Sequence, residues 1–230
     1  MLNIDNSGNL ITSPIIPNKV VFVGNSILAG LGGNDHGGFY GMCASSPYKD
    51  YAYYVEQEIL TKNQSAVFTK VHGGGFEQSE DMDSVNSWWN GNNIITGQPT
   101  KNAFTSDIDL VIIQLGDNIN NSARVELLNT SFDVLINNIR QNSPSARIIW
   151  IDGWFNAEKN HIIISSKCNK WKIPNVFIKS LNTTENQGVS GMISTMYDGT
   201  TFTVPDTYIS HPGDNGFELI ADMIISALNM

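Results

Sequence analysis

The side chains of this 230-residue sequence that could carry out chemistry fall in four short stretches. Ser26 follows Gly24-Asn25 at the end of the β-forming run VVFV, and a glycine triplet, Gly73 to Gly75, follows VFTKVH. Asn118 closes GDN after LVIIQL, and His211 opens HPGDNG ahead of the last apolar stretch. A serine hydroxyl is a poor nucleophile until an imidazole within hydrogen-bond reach takes its proton. Its attack on an ester carbonyl places negative charge on oxygen, which fixed N–H donors can meet. Alone, each stretch has a plainer reading: a helix cap at Ser26, turns at the glycines and at Asn118, and a helix start at His-Pro. Their occurrence together, in this order along one chain, favours the chemical reading over the four plain ones.

Such residues need elements to carry them. Short runs rich in Val, Ile or Phe predict strands over Lys19–Val23, Ala66–Val71, Leu110–Leu115, Arg147–Ile151 and Val176–Ile178. Between them, Ala123–Gln141 places Val125, Leu128, Phe132, Leu135, Ile136 and Ile139 on one stripe at helical spacing. Gly216–Leu228 repeats the pattern, with Asn215 as cap and Glu218 three residues later, and Tyr51–Leu60 is a weaker case. Glu77–Ser106 reads as an irregular excursion over the active face. Strands alternating with helices imply right-handed crossovers and a parallel sheet covered on both faces. The expected fold is therefore α/β, a flavodoxin-like three-layer α/β/α sandwich with a central parallel sheet of about five strands. Residues 1–18 read as an arm and 19–230 as a single catalytic domain. Ligands of such sheets sit beyond the carboxyl ends of the strands, where Gly24-Asn25-Ser26, HGGG at 72–75, GDN at 116–118 and DGW at 152–154 fall.

Composition narrows the partners. Thirteen Lys and Arg against 22 Asp and Glu give a net charge of −9, which repels nucleic-acid phosphates and anionic lipid heads. The first residues, MLNIDNSGNLITSPIIPNK, lack a basic stretch followed by an apolar one, and no apolar run approaches a membrane span, so neither a signal peptide nor a membrane segment is expected in this chain and no compartment is indicated. Cys43 and Cys168 could form one disulfide or none. His36, His72, His161 and His211 are scattered without metal-ligand spacing, so no metal or other cofactor is expected. A Gly-x-Ser-x-Gly elbow would need glycine at Leu28, and GNSILAGLGG has neither a phosphate-loop Lys-Ser/Thr pair nor a GxGxxG register.

Taken in order, FVGNS, GGGFEQS, LGDN and HPGDNG resemble blocks one, two, three and five of the SGNH hydrolases, also called the GDSL esterase and lipase family. The likeness runs from Val20 to Leu228. It implies that Ser26 is the nucleophile and His211 the base, and that the oxyanion is met by the backbone N–H groups of Ser26 and Gly75 and the side-chain amide of Asn118. Asn25 stands where the family usually has aspartate, and Ile119 replaces the aspartate that commonly follows the asparagine. The acid of the family's triad would fall three residues before the histidine, at Tyr208. Asp206, five before, is taken as the acid, the alternatives being a Ser-His dyad oriented by a backbone carbonyl or an acid elsewhere, such as Asp198.

The resemblance implies ester or thioester hydrolysis without fixing the acyl group. Trp154 beyond the fourth strand and Trp88 and Trp89 in the excursion are candidate substrate-binding rings, since an indole can stack on a sugar or wall a small acyl pocket. A polar, asparagine-rich and aromatic loop set favours a small acyl group on a hydrophilic carrier, hence a carbohydrate O-acetylesterase acting through an acyl-serine. Its rivals are an O-acetyltransferase using the same site and a non-catalytic glycan-binding domain. Oligomeric state is not indicated.

Overall fold

The computed structural model describes residues 3–4, 10–11, 16–30, 39–155 and 158–230. His36 and the glycine-rich residues 31–38 lie outside the described residues, as does most of the arm. Within the arm, β1 (Asn3–Ile4) and β2 (Leu10–Ile11) pair antiparallel.

The body alternates strand and helix. In chain order it runs β3 (Lys19–Gly24), α1 (Ser26–Ala29), α2 (Tyr51–Lys62), β4 (Val67–His72), α3 (Gly74–Gln78), α4 (Met82–Asn90), β5 (Leu110–Gln114) and α5 (Ser122–Asn142). It continues through β6 (Arg147–Asp152), α6 (Glu158–Trp171), β7 (Asn175–Phe177), a small hairpin of β8 (Ile193–Thr195) and β9 (Thr201–Thr203), and α7 (Asp214–Leu228). The five strands β4-β3-β5-β6-β7 form one sheet, every neighbouring pair parallel. This is the doubly wound order in which the chain reverses its direction of travel between the first strand and the third, here β3 and β5.

Alternation along the strands divides the core. Val20, Phe22, Leu110, Ile112, Ile149 and Ile151 point to one face, where α2 and α7 bring Tyr51, Val55, Phe217 and Ile224. Val21, Val23, Val111, Ile113 and Trp150 point to the other, under α5 with Phe132 and Leu135 and α6 with Ile164. Both faces are covered: β3 is buried from Val20 to Gly24 and β5 throughout, as a parallel sheet between helices requires. The three-layer expectation is met, with strand bounds displaced by one residue at most ends.

Two expectations are corrected. The excursion from Glu77 is half helical: the end of α3 is followed by α4, which Asp81 caps by accepting from Ser84 N–H at 2.7 Å, and Thr100–Ala103 form a 3-10 turn. Asn215 does not cap α7; Gly213 holds that place without a side-chain hydrogen bond, and the Asn215 amide instead donates to Asn186 Oδ1. Cys43 and Cys168 are both free and buried, and burial pushes both thiols up to about 12, which keeps them protonated near pH 7. Among the described residues no helix is long and apolar enough to cross a membrane.

Candidate active site

The site is assembled by strand ends. Gly24 closes β3 in register with His72 of β4, and Gly73 N–H donates to Gly24 O at 2.6 Å, so the turn carrying Ser26 and the glycine triplet are bonded side by side. Asn25 caps α1, its Oδ1 accepting from Ile27 N–H at 3.0 Å, which leaves Ser26 as the first residue of a helix with no acceptor for its own N–H in that helix. Gly75 lies in the first turn of α3. A Cβ at Gly75 would come within 2.6 Å of Trp88 Cδ1, so glycine is needed there for close packing. Beyond β5, Gly116 takes φ +135°, a conformation reserved for glycine, in the turn that leads to Asn118.

His211 arrives from the far end of the sequence. The segment before α7 is held by Trp154 Nε1 donating to Ser210 O at 2.9 Å and by Gly188 N–H donating to His211 O at 3.0 Å. The result is a contact across 185 positions: Ser26 Oγ lies 2.9 Å from His211 Nε2. Both side chains are half-buried. On its other side, His211 Nδ1 lies 2.9 Å from the backbone carbonyl of Tyr208, which fixes the proton on Nδ1 and leaves Nε2 free to accept from serine. The same carbonyl accepts from His211 N–H at 2.9 Å and from the Cys43 thiol at 2.9 Å. Burial lowers the His211 pKa from its ordinary 6.5, with the Tyr208 carbonyl opposing, so the ring is held neutral near pH 7.

Asp206 is therefore corrected as a partner of the imidazole. It is exposed in a 3-10 turn, and the position facing Nδ1 is filled by the Tyr208 carbonyl. Asp198 is likewise exposed and accepts from Thr200, two residues away.

The tryptophans are corrected as well. Trp154 is fully buried, in the core facing α7, and has no ring face for a ligand; it anchors the loop that carries His211. Trp89 is buried and stacks on Phe104 with ring centroids 5.0 Å apart. Trp88 is partly buried, meets Phe76 edge-on and donates from Nε1 to His72 O at 3.0 Å, so it packs the glycine turn.

Two residues to which the sequence reading gave no role stand at the site. Phe155 meets the His211 ring edge-on at 4.9 Å. Glu77, 1% exposed, accepts from Gly116 N–H at 2.6 Å and, more weakly, from Asn118 N–H at 3.3 Å and Asn25 Nδ2 at 3.2 Å, all through Oε1; its Oε2 accepts from Asn118 Nδ2 at 2.7 Å. Burial raises the Glu77 pKa while these four donors pull it down. The only hint in GGGFEQS was a carboxylate beside the apolar Phe76, too little to separate it from a solvated glutamate.

No family model matches the sequence, and no curated protein matches it either. Solved structures do match. An extracellular lipase from Streptomyces rimosus aligns over 91% of this chain and 99% of its own at 13% identity, TM-score 0.55. A family two carbohydrate esterase from Clostridium thermocellum, solved with cellohexaose, aligns over 97% of this chain and 67% of its own at 18% identity, TM-score 0.56. An acetyl xylan esterase from Butyrivibrio proteoclasticus aligns over the same shares at 17% identity, TM-score 0.56. With its five-stranded parallel sheet between helical layers, the chain has the fold of the SGNH-type hydrolases.

Proposed function

We propose that this protein is a serine esterase that removes O-acetyl groups from carbohydrate through an acyl-serine intermediate. The observation that carries the reading is the 2.9 Å contact of Ser26 Oγ with His211 Nε2, the imidazole being held from behind by the Tyr208 carbonyl.

The mechanism follows from that geometry. As Ser26 Oγ bonds to the ester carbon, its proton passes to His211 Nε2, and the carbonyl π pair moves to oxygen. The oxyanion is met by the N–H groups of Ser26 and Gly75 and by an N–H of the Asn118 amide. Asn118 Nδ2 has two hydrogens and gives one to Glu77, so the other is available. The imidazolium, its charge eased by the Tyr208 carbonyl on Nδ1, then protonates the leaving sugar oxygen as the C–O bond breaks. Water repeats the sequence on the acyl-serine, releasing acetate and returning the proton to Ser26. A carbonyl can fix tautomer and orientation as a triad aspartate does, but it brings no full charge.

Two things support a carbohydrate. Carbohydrate esterases are among the solved structures that share this fold. A cavity of about 680 Å³, within the size range of ligand sites, shares Asp117 and Phe155 with the surroundings of the dyad and is lined by the polar Asn120, Asn121 and Ser122 together with the apolar Ile119 and Val125. A carboxylate at position 208 is not needed to orient the imidazole, since the Tyr208 carbonyl lies 2.9 Å from His211 Nδ1.

The test is hydrolysis of nitrophenyl acetate beside its long-chain homologues, and release of acetate from an acetylated glycan, each with wild type and Ser26→Ala. Acetate release lost in Ser26→Ala supports the reading. Faster turnover of the long-chain ester than of the acetate overturns the acyl choice.

A further inference from the structure

Three donors are assigned to the oxyanion: the turns of Ser26 and Gly75 are joined by Gly73 N–H donating to Gly24 O at 2.6 Å, and Asn118 comes from a third turn. Ser26 follows β3, Gly75 follows β4 and Asn118 follows β5. One buried side chain touches all three turns. Glu77 is two residues beyond Gly75 in the same helix, accepts from Asn25 next to Ser26, and accepts from both the backbone and the side-chain amide of Asn118. We infer that Glu77 is a positioning residue that fixes the oxyanion donors, chiefly by clamping one N–H of the Asn118 amide so that the other points at the reacting carbonyl.

The chemistry of the neighbours agrees. Each hydrogen-bond partner of Glu77 Oε1 and Oε2 is an N–H donor, which suits an ionised carboxylate with two acceptor oxygens, and the Asp117 carboxyl nearby is raised by its burial and then by the Glu77 charge. The terminal torsion of a primary amide is broad unless a hydrogen bond fixes it, and the 2.7 Å bond from Asn118 Nδ2 to Glu77 Oε2 does so. The arrangement also explains two substitutions in the sequence. With Glu77 present, an aspartate at 25 would set two carboxylates together, whereas Asn25 caps α1 with its oxygen and donates to Glu77 with its nitrogen. With Glu77 bonded to Asn118, the amide needs no support from position 119, and Ile119 is free to be buried in the apolar layer.

There is an opposing effect. A carboxylate one amide away from a developing oxyanion repels it, so removing the charge would speed the reaction if repulsion outweighed positioning. The direct hydrogen bond fixes the donor itself, and a preorganised donor outweighs a fixed charge one group further away. The two effects predict opposite signs for Glu77→Gln.

This inference rests on the esterase reading, and the experiment separates the two. Steady-state hydrolysis of nitrophenyl acetate is measured for wild type, Ser26→Ala, Glu77→Gln, Asn118→Ala and the double variant Glu77→Gln/Asn118→Ala, with melting temperatures to confirm folding. Glu77→Gln is expected to lower kcat by about tenfold or more with little change in KM, and Asn118→Ala by roughly a hundredfold. The double variant is expected to be no slower than Asn118→Ala, because a residue acting through Asn118 has nothing left to position once the amide is gone. Glu77→Asp keeps the charge but shortens the reach, carries the same expectation, and replaces Glu77→Gln if that variant does not fold. Unchanged or faster turnover in Glu77→Gln, or losses that multiply in the double variant, overturn the inference while leaving the esterase standing. Undiminished activity in Ser26→Ala overturns both.

Discussion

His211 Nδ1 and the Tyr208 carbonyl lie 2.9 Å apart, so the imidazole at the candidate site is oriented by backbone three residues before it rather than by a carboxylate. The spacing is that at which the SGNH likeness expected an acid. The chain meets the same geometric need with the peptide group of that position, while the Tyr208 side chain meets the His211 ring edge-on at 6.4 Å.

That relationship predicts that carboxylates nearby are dispensable. Asp206→Ala and Tyr208→Phe should each keep kcat for nitrophenyl acetate within about threefold of wild type, against the roughly ten-thousandfold that a triad aspartate is worth in serine proteases. A loss of a hundredfold in Asp206→Ala would return the acid to that residue.

Activity should have a single acid limb set by His211. The ring must be neutral to take the serine proton, and burial lowers its pKa below 6.5, so kcat/KM should rise with pH to a plateau whose midpoint lies under that value. A pH profile in the free-enzyme parameter checks it; a midpoint above 6.5 would mean that a carboxylate faces the ring.

Stability should follow the opposite course. Asp117 is raised to about 7 by burial first and by the Glu77 charge second, and Asp152 is raised to about 6 by burial, with His161 opposing. A folded-state pKa above the unfolded one means that the folded chain holds the proton more tightly. The stabilisation is full below the unfolded carboxylate range near 4 and is lost as pH rises through 6 to 7. Urea midpoints measured from pH 5 to 8 should therefore fall, and fall less in Asp117→Asn.

Gly75→Ala should damage the site with little effect on the fold. Its Cβ would press on Trp88 Cδ1 at 2.6 Å, forcing the indole or α3 to move and carrying the Gly75 N–H with it. A drop in kcat of about tenfold or more, with a small change in melting temperature, is the expected result, in line with loss of an oxyanion donor.

Much of this was legible in the sequence, because strand runs and glycine turns are local signals. β3, β5 and β6 announce themselves as Val and Ile runs, and Ser26, Gly75 and Asn118 stand directly beyond strand ends. The contact of Ser26 with His211 followed only from the family likeness, since 185 residues separate the two. What escaped was non-local or backbone-borne. A side-chain reading cannot see the Tyr208 carbonyl, and Glu77 is marked as buried only once three separate turns converge on it. Trp154 looked like a surface ring because it follows a strand end, yet α7 packs over that position. The helix α4 was visible in principle: Asp81 caps it, and Met82, Val85 and Trp89 repeat at helical spacing.

The account depends on Ser26 being a nucleophile activated by His211. The most direct measurement is covalent labelling with a fluorophosphonate, followed by peptide mapping, of wild type, Ser26→Ala and His211→Ala. The predicted result is one adduct, on Ser26, absent from Ser26→Ala and strongly slowed in His211→Ala. Labelling of a different residue, or an unlabelled wild type in its folded state, would contradict it.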